Sequence, residues 1–105
     1  MTTELYDKIH NLGWIVSVED KECQYIENWS PLGEDIIIDI NEEDDHDIIT
    51  VIKHESENFD EDDHVEPLVE YRGTRGVPSS ICDLVDDARA IHKMLDELYD
   101  AIKEN

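Results

Sequence analysis

Twenty carboxylates stand between residues 19 and 70 against only Lys21 and Lys53, so this half of the chain carries −18 of a total net charge of −21. Any fold must turn those side chains to water and gather its apolar residues elsewhere, because an unpaired buried carboxylate is strongly unfavourable. Such a field repels itself and weakens the compact state, while attracting any partner whose surface is equally positive. Residues 1–18 and 71–105 are nearly balanced, at −1 and −2. A salt-adapted acidic coat is the plain alternative. It would cover the whole surface rather than half of the sequence, and thirteen isoleucines with more Lys than Arg fit it poorly.

With 105 residues and 39% hydrophobic content, the chain is expected to form a single domain, 1–105, around a modest core. Cys23 and Cys82 lie far apart, without metal-ligand spacing, and are read as reduced thiols. The first ten residues hold no apolar signal-peptide core, and no stretch approaches eighteen apolar residues, so a soluble, cytoplasmic protein is expected. Eight basic residues with no run among them argue against direct binding to nucleic acid or to a membrane surface.

Leu5, Ile9 and Leu12 have helical spacing, with Thr2 or Thr3 as cap and Gly13 as terminator. Residues 14–18 and 23–29 are β-branched and aromatic around an acidic connection at 19–22, the pattern of a hairpin. After a turn at residues 30–33, residues 34–41 alternate: Ile36, Ile38 and Ile40 share one face, while Asp35 and Asp39 share the other with Ile37 between them. Residues 48–52 suit strand or helix; their spacing with Phe59 favours a helix capped by Asp45 or Asp47. The acidic run 60–63 is expected to precede a short helix over 64–72, irregular at Pro67. Ser80 and Asp83 form a capping-box-like start to a helix of about 23 residues, whose stripe is Ile81, Leu84, Val85, Ala88, Ile91, Leu95, Leu98, Tyr99 and Ile102. The expected class is α+β: a small antiparallel sheet of about three strands packed against helices, the last one long.

The candidate partner-binding residues are Asp35, Asp39, Glu42, Glu43, Asp44, Asp45, Asp47, Glu57, Asp60, Glu61, Asp62, Asp63 and Glu66. Taken run by run they are solvated loop faces; together, a strand, a helix and two runs can present charge on one side. Side chains on one strand face repeat about every 6.6 to 6.8 Å, and phosphates advance about 3.4 Å per nucleotide. Carboxylates at every second residue can therefore meet Arg and Lys groups arranged for a nucleic-acid backbone.

Calcium is a poorer use of these acids. A loop begun at Asp39 puts Asp44 where glycine is required and Thr50 where the bidentate glutamate belongs, and one begun at Asp60 puts Val65 and Tyr71 there. The five histidines have no zinc-site spacing, and no phosphate loop or nucleophile motif occurs, so neither cofactor, metal nor catalysis is expected. Arg72 and Arg75, beside the start of the last helix, form a possible anion site, a plain turn, or a clamp on the chain's own acids. Trp14, Tyr25 and Trp29 belong in the core of a small sheet, and one exposed beside the acids becomes an interface anchor.

The acidic runs at residues 42–47 and 60–63, the size and the element order resemble small acidic proteins that phages and mobile elements use against host nucleases. These include anti-CRISPR proteins that block Cas9 and DNA-mimic anti-restriction proteins. Residues 30–35, 59–66 and 72–80 also look like stretches in short proteins of gut Firmicutes and their mobile elements. The resemblance implies a stoichiometric, non-catalytic inhibitor that covers the basic groove where a CRISPR effector nuclease reads its motif or holds DNA. Two alternatives share the acid surface or its residues: an antitoxin, immunity-like or adaptor protein for another basic partner, and a metal protein or enzyme built from dispersed acids and histidines.

Overall fold

The computed structural model describes residues 3–20, 22–40 and 47–103. Leu5 and Ile9, one turn apart, seat α1 (Thr3–Asn11) on the core. Thr3 is the first helical residue rather than its cap, and Thr2 lies outside the described residues. Gly13 (φ +92°) donates to His10 O at 2.9 Å, and Trp14 donates to Ile9 O at 3.4 Å. This paired closure needs a left-handed residue, which glycine supplies without steric cost. It drops Trp14 into the core beside Ile9, whereas Leu12, expected on the buried stripe, is exposed.

The expected hairpin forms from β1 (Ile15–Glu19) and β2 (Glu22–Trp29), and β3 (Asp35–Asp39) adds antiparallel to β2, giving the order β1-β2-β3. A register shift between Ser17 and Val18 lets both Gln24 and Tyr25 be exposed while Cys23 and Ile26 are buried. Val16, Ile26 and Ile38 form a row on the inner face, with Ile36 half-buried and Ile40 buried along the same side of the third strand. The turn at residues 30–34 closes through Ser30, whose hydroxyl accepts from the Glu34 amide at 2.9 Å, and through Gly33 at φ +88°.

The ambiguous segment is a helix, α2 (Ile48–Asn58), with the Asp47 side chain accepting from the Thr50 amide at 2.8 Å. Asp45, the other cap considered, is outside the described residues. The run at 60–63 does not precede its helix but starts it: α3 (Glu61–Val69) has Asp60 as cap, accepting from the amides of Asp62 and Asp63, and Glu61, Asp62 and Asp63 as its first turn. Four carboxylates at the positive end of a helix dipole stabilise it, which is why the helix begins three residues before the apolar spacing suggests.

Helix α4 (Ile81–Ile102) begins with Ser80 accepting from the Asp83 amide at 3.4 Å. Its stripe serves two clusters. Ile91, Leu95, Leu98 and Ile102 join the sheet, α1 and α2, and Leu84 and Ala88 join Val65 of α3. Ile81 falls outside both and is exposed. Polar contacts tie the layers together: Ser56 donates to Asp96 at 2.6 Å, His64 Nε2 lies 2.8 Å from Glu34 Oε2, and Phe59 packs against the rings of both His64 and His92. The result is the expected α+β fold, a three-stranded antiparallel sheet with four helices. No helix among the described residues is long and apolar enough to cross a membrane.

Gly13→Ala is expected to lower stability by about 1–2 kcal/mol, because its Cβ has room but not the left-handed conformation. Asp60→Ala should lose about 0.5–2 kcal/mol with the cap of α3. Urea denaturation of each variant measures both.

Candidate protein interface

The side of the sheet turned away from the core is the surface of interest. Cross-strand pairing sets Ile15, Glu27 and Ile37 in one row, Ser17, Tyr25 and Asp39 in the next, and Trp29 beside Asp35 in a third. Ile15, Tyr25, Trp29 and Ile37 are 37–52% exposed, and Asp35 and Asp39 are fully at the surface. Period-two alternation produces this: the same register that buries Ile26 and Ile38 must turn Tyr25, Ile37 and Asp39 outward. Trp14 is buried, as expected of a small-sheet aromatic, whereas Tyr25 and Trp29 sit exposed among carboxylates.

No Lys, Arg or His occurs on any of the three strands, and among the described residues neither Asp35 nor Asp39 has a cation within ion-pair distance. Glu27 and Asp35 crowd each other instead. The Glu27 carboxyl is held above the ordinary glutamate range, first by its hydrogen bond with Asp35, then by partial burial and by the Asp35 charge. Strand β3 is also a sheet edge. Ile40 donates to Gln24 O at 2.9 Å, so by antiparallel alternation the backbone groups of Asp35, Ile37 and Asp39 point away from β2. Charge on an edge discourages pairing with another chain's strand, a second physical use for the same two aspartates.

Other acids divide by role. Glu42, Glu43, Asp44 and Asp45 lie outside the described residues. Asp47 and Asp60 cap helices, and Glu61 turns toward α4, 3.9 Å from Arg89 and 3.7 Å from His92. Glu57 is exposed on α2, and Asp62, Asp63 and Glu66 are exposed on α3. Asp63 and Glu66, with Glu70, line a shallow groove that also includes Pro67 and Tyr71. Among the described residues the predicted cluster therefore divides into an acidic surface on the sheet, another on α3, exposed Glu57 on α2, and carboxylates that serve the helix starts and α4.

No family model, curated protein or solved structure matches this chain. Its own surface carries the argument about function.

Arg72 and Arg75, the pair considered as an anion site or as a clamp on the chain's own acids, make their printed contacts within their own loop and helix end. The Arg72 Nε donates to Val69 O at 3.1 Å, at the C-terminal end of α3, and the Arg75 guanidinium lies 4.4 Å from the Tyr71 ring centroid. Neither has a carboxylate within ion-pair distance among the described residues. Sequence reasoning missed Glu27 and Glu70, which extend the two acidic surfaces, and Asp87, a buried carboxylate on the α4 stripe. For Asp87 a signal existed: an acid three residues after Leu84 and four before Ile91 stands on the apolar face.

Because the folded chain holds the Glu27 proton more tightly than the unfolded chain, stability should fall as pH rises from the ordinary glutamate range through the raised pKa. It should return on acidification through the same window. Asp35→Asn should bring Glu27 toward ordinary titration and flatten that dependence. Residue-resolved NMR titration and urea melts across the acid range check both parts.

Proposed function

We propose that this protein is a non-catalytic inhibitor that sets the outer face of its sheet into the basic nucleic-acid groove of a nuclease, with a Cas9-type CRISPR effector as the leading partner. The observation carrying this is the juxtaposition of exposed Trp29, Tyr25 and Ile37 with Asp35 and Asp39 on a sheet that bears no cation. Exposed apolar area on a sheet face supplies affinity when a partner covers it, and aromatics are the residues most enriched at such anchors. The carboxylates supply orientation and rate. Rim ion pairs contribute about 0–1 kcal/mol each, so their main effect is to steer encounter with a positive groove and to make binding salt-dependent. A surface of this kind excludes the phosphate backbone that would otherwise occupy the groove. The exposed acids of α3 extend the negative surface beyond the sheet.

Cleavage assays against a panel of Cas9, Cas12 and restriction enzymes, with pull-downs at low and moderate salt, test the proposal. Inhibition that added target DNA relieves and salt weakens is the expected result. Trp29→Ala should weaken binding by about 2 kcal/mol or more, roughly 30-fold. Asp35→Lys with Asp39→Lys should abolish it while leaving the circular dichroism spectrum unchanged. Inhibition that survives all three substitutions would show that the sheet face is not the interface.

A further inference from the structure

The α4 carboxylate Asp87 is 6% exposed, among the most buried polar side chains in the described residues. One oxygen, Oδ1, accepts from the Leu32 amide at 3.1 Å, which fastens the turn at residues 30–34 to α4. The other has no hydrogen-bond partner among the described residues. No fully buried side-chain oxygen lacks a hydrogen bond among the described residues, so this second oxygen reaches open space. The space is a cavity of about 340 Å³ whose lining includes Asp87 with Leu32, Leu68, Val77, Pro78 and Leu84. That is the low end of ligand-pocket volumes, about 300–1,000 Å³, and suits one side chain better than a cofactor.

Two other charged residues line it. Glu34 is 2.8 Å from His64, and Arg75 is stacked over Tyr71, so among the described residues Asp87 is the lining carboxylate with neither a histidine nor an arginine at ion-pair distance. We propose that this cavity is a receptor for an arginine side chain of another protein, with the guanidinium meeting Asp87 and the stem lying along Leu32, Leu68 and Pro78. A carboxylate with so little exposed surface gains from a charge-assisted hydrogen bond, and guanidinium suits the place because it is planar, forked and less tightly hydrated than ammonium. The turn that walls the cavity leads directly from Trp29 and into Asp35, so a partner on the sheet face is within reach of it. That the arginine belongs to a nucleic-acid groove rests on the function proposed above; the receptor itself does not.

The test uses the full, isotope-labelled chain and N-acetylarginine methylamide as probe, followed at the Leu32 amide by NMR. Saturable shifts at Leu32 are expected, weaker with the matching lysine compound and absent with the glutamate compound. Asp87→Asn keeps an acceptor for Leu32 and so should fold, yet should weaken the probe by about tenfold or more. Arg75→Ala, which removes a like charge at the rim, should tighten it. Absence of shifts in the native chain, or equal shifts in Asp87→Asn, overturns the receptor. Binding seen only in Arg75→Ala overturns it too, by assigning the cavity to the chain's own arginine. A nuclease panel that gives no inhibition while the Leu32 response persists would count against the proposed function and not against the receptor.

Discussion

Burial of the α4 stripe is the interaction on which every other part of the structure depends. Ile91, Leu95, Leu98 and Ile102 close the core against the inner face of the sheet and against α2, while Leu84 and Ala88 hold α3. At about 25 cal/mol per Å² of apolar surface removed from water, a helix that contributes to both clusters dominates the favourable side of folding. The opposing terms are chain entropy and the mutual repulsion of a surface with a net charge of −21. The fold reduces the second term locally, by spending carboxylates where backbone amides or histidines can meet them: Asp47 and Asp60 at helix starts, Glu34 at His64, Asp87 at the 30–34 turn.

What remains after those uses is a surface that the fold itself does not require. Asp35 and Asp39 have no cationic partner among the described residues, and Ile37, Tyr25 and Trp29 stand beside them without cover. Apolar side chains at an exposed sheet face and carboxylates that repel one another both weaken an isolated monomer. Both become favourable against a partner that is basic and has an apolar patch of its own. The Glu27–Asp35 pair expresses the same tension on a small scale: the hydrogen bond with Asp35, then partial burial and the Asp35 charge, hold the proton on Glu27.

Most of the architecture was legible because the signals were periodic. Alternation in residues 34–41 fixed the faces of β3, and the stripe from Leu84 to Ile102 fixed α4, since the residues of each stripe are buried or, at Ile36, Val85 and Tyr99, half-buried. Helix starts were less legible. The acids at 60–63 look like a solvated loop by composition, but a carboxylate at a cap and three more in the first turn favour helix, so charge that reads as disorder became local structure. The proposed interface was legible only as a condition, that an aromatic be exposed among acids, because nothing in Tyr25 or Trp29 alone says which face of β2 is covered. Asp87 was obscured for the opposite reason. Its spacing from Leu84 and Ile91 places it on the apolar face, but its partner, the Leu32 amide of a turn 55 residues away, could not be read from spacing.

The proposed function requires that the acidic surface burden the isolated chain, so that a basic partner would relieve it. Its most direct test is the urea midpoint measured at about 0.01 M and about 1 M monovalent salt, where the screening length falls from about 30 Å to about 3 Å. The midpoint should rise with salt at unchanged slope, as screening removes repulsion from the folded state. A midpoint that stays level or falls would mean that helix caps and ion pairs already compensate the charge, and that the carboxylates serve the fold rather than a partner.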